Sequence, residues 1–196
     1  MGSERGEGGR PRPWERTASR EIAEYEMFRL REDRSRSPKD GEEHAFHIAA
    51  SPGGVAVVAV TDDGRLVMVE QFRHGTRRLS LEIPCGMVEE GEEPADAARR
   101  ELREETGFEG EEPRVLGRFE LNPSWQQAPL HAVLVAGARR AGEKDEDEGE
   151  DIRVRLVAVD EVRRLVLAGE VESAPTLVAL GLWDWRDGGL SADRPR

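Results

Sequence analysis

Cysteine, long apolar runs and positive charge are all in short supply in this chain. There is one cysteine, Cys85, among 196 residues. A disulfide framework is therefore excluded, and a single thiol fits a reducing compartment. The longest apolar stretch, near VAVVAV, falls far short of the roughly 20 residues that a spanning helix needs. The opening segment MGSERGEGGRPRP lacks the apolar run of a signal peptide. These absences lead us to expect a cytoplasmic protein with no membrane partner. Asp and Glu outnumber Lys and Arg by 41 to 29, giving a net charge of −12. That balance favours solubility and argues against a large phosphate-backbone footprint, so no nucleic-acid partner is expected. No internal repeat is evident.

What is present suits one domain with arms, long enough to bury a real core. Residues 1–13 are rich in Gly, Arg and Pro and are expected to be a disordered tail. Residues 187–196 read as a second flexible tail. Between them, residues 14–50 form an N-terminal arm, and residues 51–186 form the main domain. The segment REIAEYEMFRLR (20–31) is ambiguous between helix and strand. HAFHIAA, VAVVAVT, LVMVEQF, LSLEIP, RVLGRFEL, HAVLVAGA and IRVRLVAV read as strands. Asp63-Gly64 in TDDGR is a hairpin signal between VAVVAVT and LVMVEQF. VDEVRRLVLAG and APTLVALGLWDW read as helices. The pattern is a mixed α/β one, with one helix-packed sheet system and antiparallel hairpins.

One further helix has clear ends. Pro94 lies in its first turn and Gly107 just past its last, with Ala95, Ala98 and Leu102 as its apolar stripe. Glu101, Glu104 and Glu105 share a face of it. Like charges at that spacing repel unless something compensates. One reading is a solvated surface neutralised by Arg99, Arg100 and Arg103. The other is a site for a hard cation such as Mg²⁺, which takes oxygen ligands and completes its shell with water and substrate phosphates.

The context of the triplet favours the cation. The chain runs Gly86, five residues, Glu92, seven residues, then Arg100-Glu101-Leu102-Arg103-Glu104-Glu105-Thr106-Gly107-Phe108. This resembles the Nudix box at every fixed position. VVAVTDDGRLVMVEQFRHG, with its triplet Gln71-Phe72-Arg73, and LEIPCGMVEEGE resemble the ADP-ribose pyrophosphatase-like branch of that family. EDIRVRLVAVDEV and APTLVALGLW match the branch as well, so the resemblance covers roughly residues 14–185. It implies an α/β/α sandwich with a mixed sheet, plus the N-terminal β-rich arm. The implied reaction is Mg²⁺-dependent, with Mn²⁺ as the alternative metal. It cleaves the pyrophosphate bond of ADP-ribose or another nucleoside diphosphate sugar, giving a nucleoside monophosphate and a sugar phosphate. A homodimer is implied too, in which Trp14, Tyr25 and Phe28 of the arm either pack at the contact or stack on a base.

The resemblance also assigns residues. Glu101, Glu105 and Glu104 would be metal ligands, joined by the backbone carbonyl of Cys85, with Glu104 also a catalytic candidate. Lining up E-x-E-D-I onto DEDEGEDIRV places the general base at Glu148 or Glu150. Arg73 would contact the substrate's phosphates, for which a guanidinium fork is suited. Glu82 would face the site. Gly86 and Gly91 would shape the loop before the helix, and Glu92 and Arg100 would tie that loop down. One stretch departs from the branch. LNPSWQQAPLH keeps a proline, Pro123, but puts Trp125, Gln126 and Gln127 where a glycine and acidic residues are expected. Trp125 is therefore a candidate stacking surface for the second half of the substrate, and His131 a candidate phosphate contact. The rivals are a relative acting on nucleoside triphosphates, dinucleoside polyphosphates or RNA 5′ ends, and a non-catalytic nucleotide-sensing Nudix domain. The negative charge weighs against RNA, and the intact glutamate triplet weighs against the non-catalytic domain.

Overall fold

A computed structural model describes residues 10–145 and 151–190. Most of the expected tail at 1–13 and the segment 191–196 lie outside the described residues. The chain divides into two compact units. One holds the residues up to Ser51 together with Ser124–Gln127; the other holds Pro52–Pro123 and the chain from Ala128 onward.

The first unit is a β meander. Strands β1 (Glu15–Glu24), β2 (Arg29–Arg36) and β3 (Glu43–Ala50) pair antiparallel in sequence order. The ambiguous segment 20–31 is thus the first hairpin. Its helix-like spacing of Ile22, Tyr25 and Phe28 is overridden by cross-strand pairing, and Tyr25 N–H donates to Phe28 C=O at 2.9 Å across the turn. Trp14 stacks edge-on against His44 and Phe46, with ring centroids 5.4 and 5.5 Å away.

The second unit carries the remaining elements except one. They are β4 (Gly54–Ala59), β5 (Arg65–Arg73), β6 (Arg78–Glu82), β7 (Cys85–Met87), α1 (Pro94–Thr106), β8 (Phe108–Glu109) and β9 (Arg114–Glu120). The short β10 (Gln126–Gln127) instead joins β3 of the first unit in parallel. The second unit then continues with β11 (Pro129–Val135), β12 (Arg139–Arg140), β13 (Ile152–Ala158), α2 (Val159–Leu167) and α3 (Ala174–Asp187). Two sheets dominate it: β7-β4-β11-β9, in which β4 and β11 run parallel, and the antiparallel β13-β5-β6.

The run GVAVVA of β4 is buried at every residue, as befits a strand covered on both faces. Val55, Val57 and Ala59 join Val67, Val133 and Val135 beneath Ala97, Ala98 and Leu102 of α1. Ala56, Val58 and Val60 face the other way. They join Leu66 and Met68 beneath Val162 and Leu165 of α2 and Ala179, Leu180 and Trp183 of α3. Two apolar layers on opposite faces of one strand make the α/β/α sandwich. No helix among the described residues is long and apolar enough to cross a membrane.

One expected feature is corrected. Asp63-Gly64 does form the turn, with Gly64 N–H donating to Thr61 C=O at 3.0 Å and Thr61 N–H to Arg65 C=O at 2.9 Å. Yet the flanking strands share only the bridge Val60–Leu66. Beyond it β4 goes to β11 and β5 goes to β13 and β6, so the turn connects two sheets and not one hairpin ladder. Pairing of β4 with β7 and β11, and of β5 with β6 and β13, outweighs the local turn preference, while both strands feed the same two apolar layers.

Candidate active site

Helix α1 is fixed by its ends. Pro94 occupies its first turn, and Gly107 closes it at φ 71° with its N–H on Arg103 C=O at 2.7 Å. That left-handed closure favours glycine over any other residue. Inside the helix, burial of Ala97, Ala98 and Leu102 sets the rotation. The same face then turns Glu101 and Glu105, which are i+4 and i+8 from Ala97, towards β7. Glu105 is 4% exposed, and Cys85 N–H donates to its Oε2 at 3.2 Å. The Glu101 carboxylate lies directly against Gly86. A methyl group on Gly86 would sit 1.9 to 2.1 Å from it. The cysteine and glycine leading into the box thus form a seat for two of the three carboxylates.

Arg100 closes the other side. Its Nε and Nη2 donate to the two oxygens of Glu92 at 3.0 and 2.9 Å, and Nη2 also donates to Met87 C=O at 2.9 Å. Its Nη1 donates to Glu101 at 2.8 Å and Glu104 at 3.1 Å. One guanidinium therefore ties the loop to the helix and supplies a counter-charge to two of the glutamates. Hydrogen bonding to Glu92 raises the Arg100 pKa, and the same bond lowers that of Glu92. The other arginines turn elsewhere: Arg99 pairs with Asp96 and Glu112, and Arg103 with Glu109. The triplet is not a simple solvated face, because Glu105 is buried and Glu101 nearly so.

Arg73 and Glu82 meet on the neighbouring sheet. Arg73 Nε and Nη2 donate to the two Glu82 oxygens at 3.0 and 2.8 Å, and the Glu82 side chain is 5% exposed. Burial, the largest single influence, pushes the Glu82 carboxyl up, but the hydrogen bonds and charge of Arg73, with smaller help from Ser80 and Ser173, together outweigh it and hold the group below its ordinary value. Arg73 is raised, first by the bond to Glu82 and more weakly by the charge of Glu105. The latter coupling links this pair to α1. The pair borders a cavity of about 690 Å³, which Gln71, Ser80, Asp151 and Ser173 also line. With both oxygens engaged by Arg73, Glu82 acts on that guanidinium and not on an anionic ligand.

The Cys85 thiol is pushed up to about 12 by burial, with Glu105 adding to it. With no metal bound it stays protonated near neutral pH. What remains around Gly86 is a set of carboxylate oxygens, which is hard-donor chemistry suited to Mg²⁺ or Mn²⁺. Among the described residues no three His, Cys, Asp or Glu side chains converge as a ready-made ligand cluster. Trp125 belongs to the first unit, where it is 46% exposed and its C=O accepts from Ala49 N–H at 3.0 Å. Glu148 and Glu150 lie outside the described residues, although Asp151, just after them, lines the cavity. His131 stands on β11 opposite Val55 of β4, with its Nδ1 buried. Sequence reasoning assigned no role to Gln71, although the triplet containing it was visible.

Comparison with known proteins decides the family. The NUDIX domain model matches residues 50–180. The chain belongs to the Nudix family. A relative named ADP-ribose pyrophosphatase from Bacillus subtilis (strain 168) is 38% identical over 142 residues, covering 72% of this chain and 77% of that one. Another of that name, from Mycobacterium tuberculosis, is 34% identical over 150 residues, covering 74% and 70%. A third relative, 32% identical over 142 residues with 72% and 77% covered, is named methanol dehydrogenase activator, from Bacillus methanolicus. Among solved structures, an ADP compounds hydrolase superposes with a TM-score of 0.80 over 92% of this chain and 98% of that one, at 20% identity. That likeness shows the fold. The family, the relatives and the intact box together support a Nudix pyrophosphatase.

Proposed function

We propose that this Nudix protein hydrolyses the pyrophosphate bond of ADP-ribose or a related nucleoside diphosphate sugar, releasing a nucleoside monophosphate and a sugar phosphate. The observation that carries this reading is the seat made by Gly86 and Cys85 for the Glu101 and Glu105 carboxylates, with Arg73 beside it. Nudix hydrolases generally use divalent metals such as Mg²⁺. Here Glu101, Glu105 and Glu104, with the Cys85 carbonyl, would hold the ion. When bound, a divalent cation offsets the charge of a diphosphate and lowers the pKa of water.

The chain's own residues do the rest. Arg73, oriented by the buried Glu82, presents its outer edge to phosphate oxygens, because Nε and Nη2 face the carboxylate. Arg100 and Glu92 keep the loop closed on α1, so that the carboxylates stand on rigid backbone. Glu148 or Glu150 would take a proton from the attacking water, on the strength of the E-x-E-D-I match.

The test is AMP release from ADP-ribose with Mg²⁺, beside a panel of nucleoside diphosphate sugars and nucleoside triphosphates. The expected result is release from at least one diphosphate sugar, abolished by EDTA. Cleavage of triphosphates alone, or no turnover, would refute the reading. We also propose a homodimer, supported by the resemblance and by exposed Trp14, Tyr25 and Phe28 on the arm. Light scattering is then expected to give twice the 21.9 kDa of one chain. A monomer mass would remove the dimer and any part for the arm in it.

A further inference from the structure

Gln71 has so far been given no role, yet its environment is unusual. It stands on β5 between Val69 and Arg73, and residues two apart on a strand share a face about 7 Å apart. That face carries Val67 into the apolar layer under α1 and carries Arg73 to its bond with Glu82. Gln71 is 9% exposed, and its Nε2 is sealed from solvent with no acceptor among the described residues. A buried donor left without a partner is costly, and folded proteins rarely keep one without a reason. The same residue borders the cavity of about 690 Å³ with Arg73, Glu82, Ser80 and Ser173.

We propose that Gln71 is a substrate-binding residue whose carboxamide donates to a diphosphate oxygen when a nucleoside diphosphate sugar fills this cavity. The inference rests on the function proposed above. The last torsion of a glutamine is broad and soft, so a turn of the carboxamide brings Nε2 to the cavity without moving the backbone. A neutral donor suits the position. A carboxylate there would repel phosphate, and a second cation would compete with the divalent metal for the same oxygens. Arg73 then holds one end of the diphosphate. Gln71, one step nearer α1, holds the oxygens that face the box carboxylates.

The experiment compares wild type with Gln71→Met and Gln71→Glu. Methionine keeps the length and removes the unpaired donor. Gln71→Met is expected to melt at the same temperature as wild type or higher. Its KM for the best substrate of the panel with Mg²⁺, and its Kd for that substrate in EDTA, should both rise about tenfold. Gln71→Glu should weaken binding further, by about a hundredfold, because its charge meets the phosphates. A lower melting temperature for Gln71→Met with KM and Kd unchanged would make Gln71 a structural residue and overturn the inference. A wild type that cleaves the panel alongside a Gln71→Met protein of equal KM and Kd overturns this inference alone. A wild type that neither binds nor cleaves any diphosphate sugar overturns the functional reading with it.

Discussion

Glu105→Gln is expected to lower kcat/KM for the preferred diphosphate sugar by at least about a hundredfold while leaving the protein folded, equivalent to roughly 2.7 kcal/mol of transition-state stabilisation. The substitution is isosteric. Its amide oxygen can still accept the Cys85 N–H that now meets Glu105 at 3.2 Å. What it removes is one full negative charge from a residue only 4% exposed. In the absence of metal that charge is a burden, since it is buried beside two other glutamates. The melting temperature in EDTA should therefore hold or rise. Stabilisation by added Mg²⁺ should shrink at the same time, because binding to the folded state is what raises stability. Melting curves with and without Mg²⁺, paired with steady-state kinetics, check both halves. A folded variant with wild-type turnover would take Glu105 out of the metal site.

Gly86→Ala is expected to produce nearly as large a loss by a different route. The added methyl would lie 1.9 to 2.1 Å from the Glu101 carboxylate, which is an impossible contact. The obstructed atoms are the far end of a flexible side chain, so the backbone can stay in place while the carboxylate swings away. The expected result is a ten- to hundredfold drop in kcat/KM, on the scale that about 1 Å of misplacement costs, with little change in melting temperature. Higher Mg²⁺ should recover part of the rate, since the displaced ligand weakens metal affinity more than chemistry. Gly54 provides the contrast. Its added methyl would meet the backbone oxygen of Gly86 at 2.4 Å, which cannot move aside. Normal activity in Gly86→Ala would show that the seat is unrelated to catalysis.

These two experiments concern residues that were legible in the sequence, although their surroundings were not. The box spacing by itself names Glu101, Glu104 and Glu105. It could not say that Glu105 is buried and bonded to the Cys85 N–H, or that Glu101 fills the space a side chain on Gly86 would need. Nor could it say that of three nearby arginines Arg100 is the one that reaches the glutamates while Arg99 and Arg103 turn to Asp96, Glu112 and Glu109. Glu82 is the sharpest case. The sequence placed it in the site, and the structure shows both its oxygens bonded to Arg73.

The division follows from the range of the interactions. Local chemistry determined what lies within a turn or so of chain. Pro94 and Gly107 set the limits of α1, Asp63-Gly64 makes its turn, and the buried run of β4 reads as a strand from its residues alone. Tertiary structure decided what depends on partners distant in sequence. It made residues 20–31 a hairpin by pairing β2 with β1 on one side and β3 on the other. It separated β4 from β5 after one bridge because β4 pairs with β7 and β11 while β5 pairs with β6 and β13. It drew Ser124–Gln127, and Trp125 with them, onto the sheet of the first unit through β10 and β3. Gln71 shows the limit most plainly. Its donor is without a partner only because strand pairing with β6 and β13 and burial close around it, and no property of the residue itself announces that.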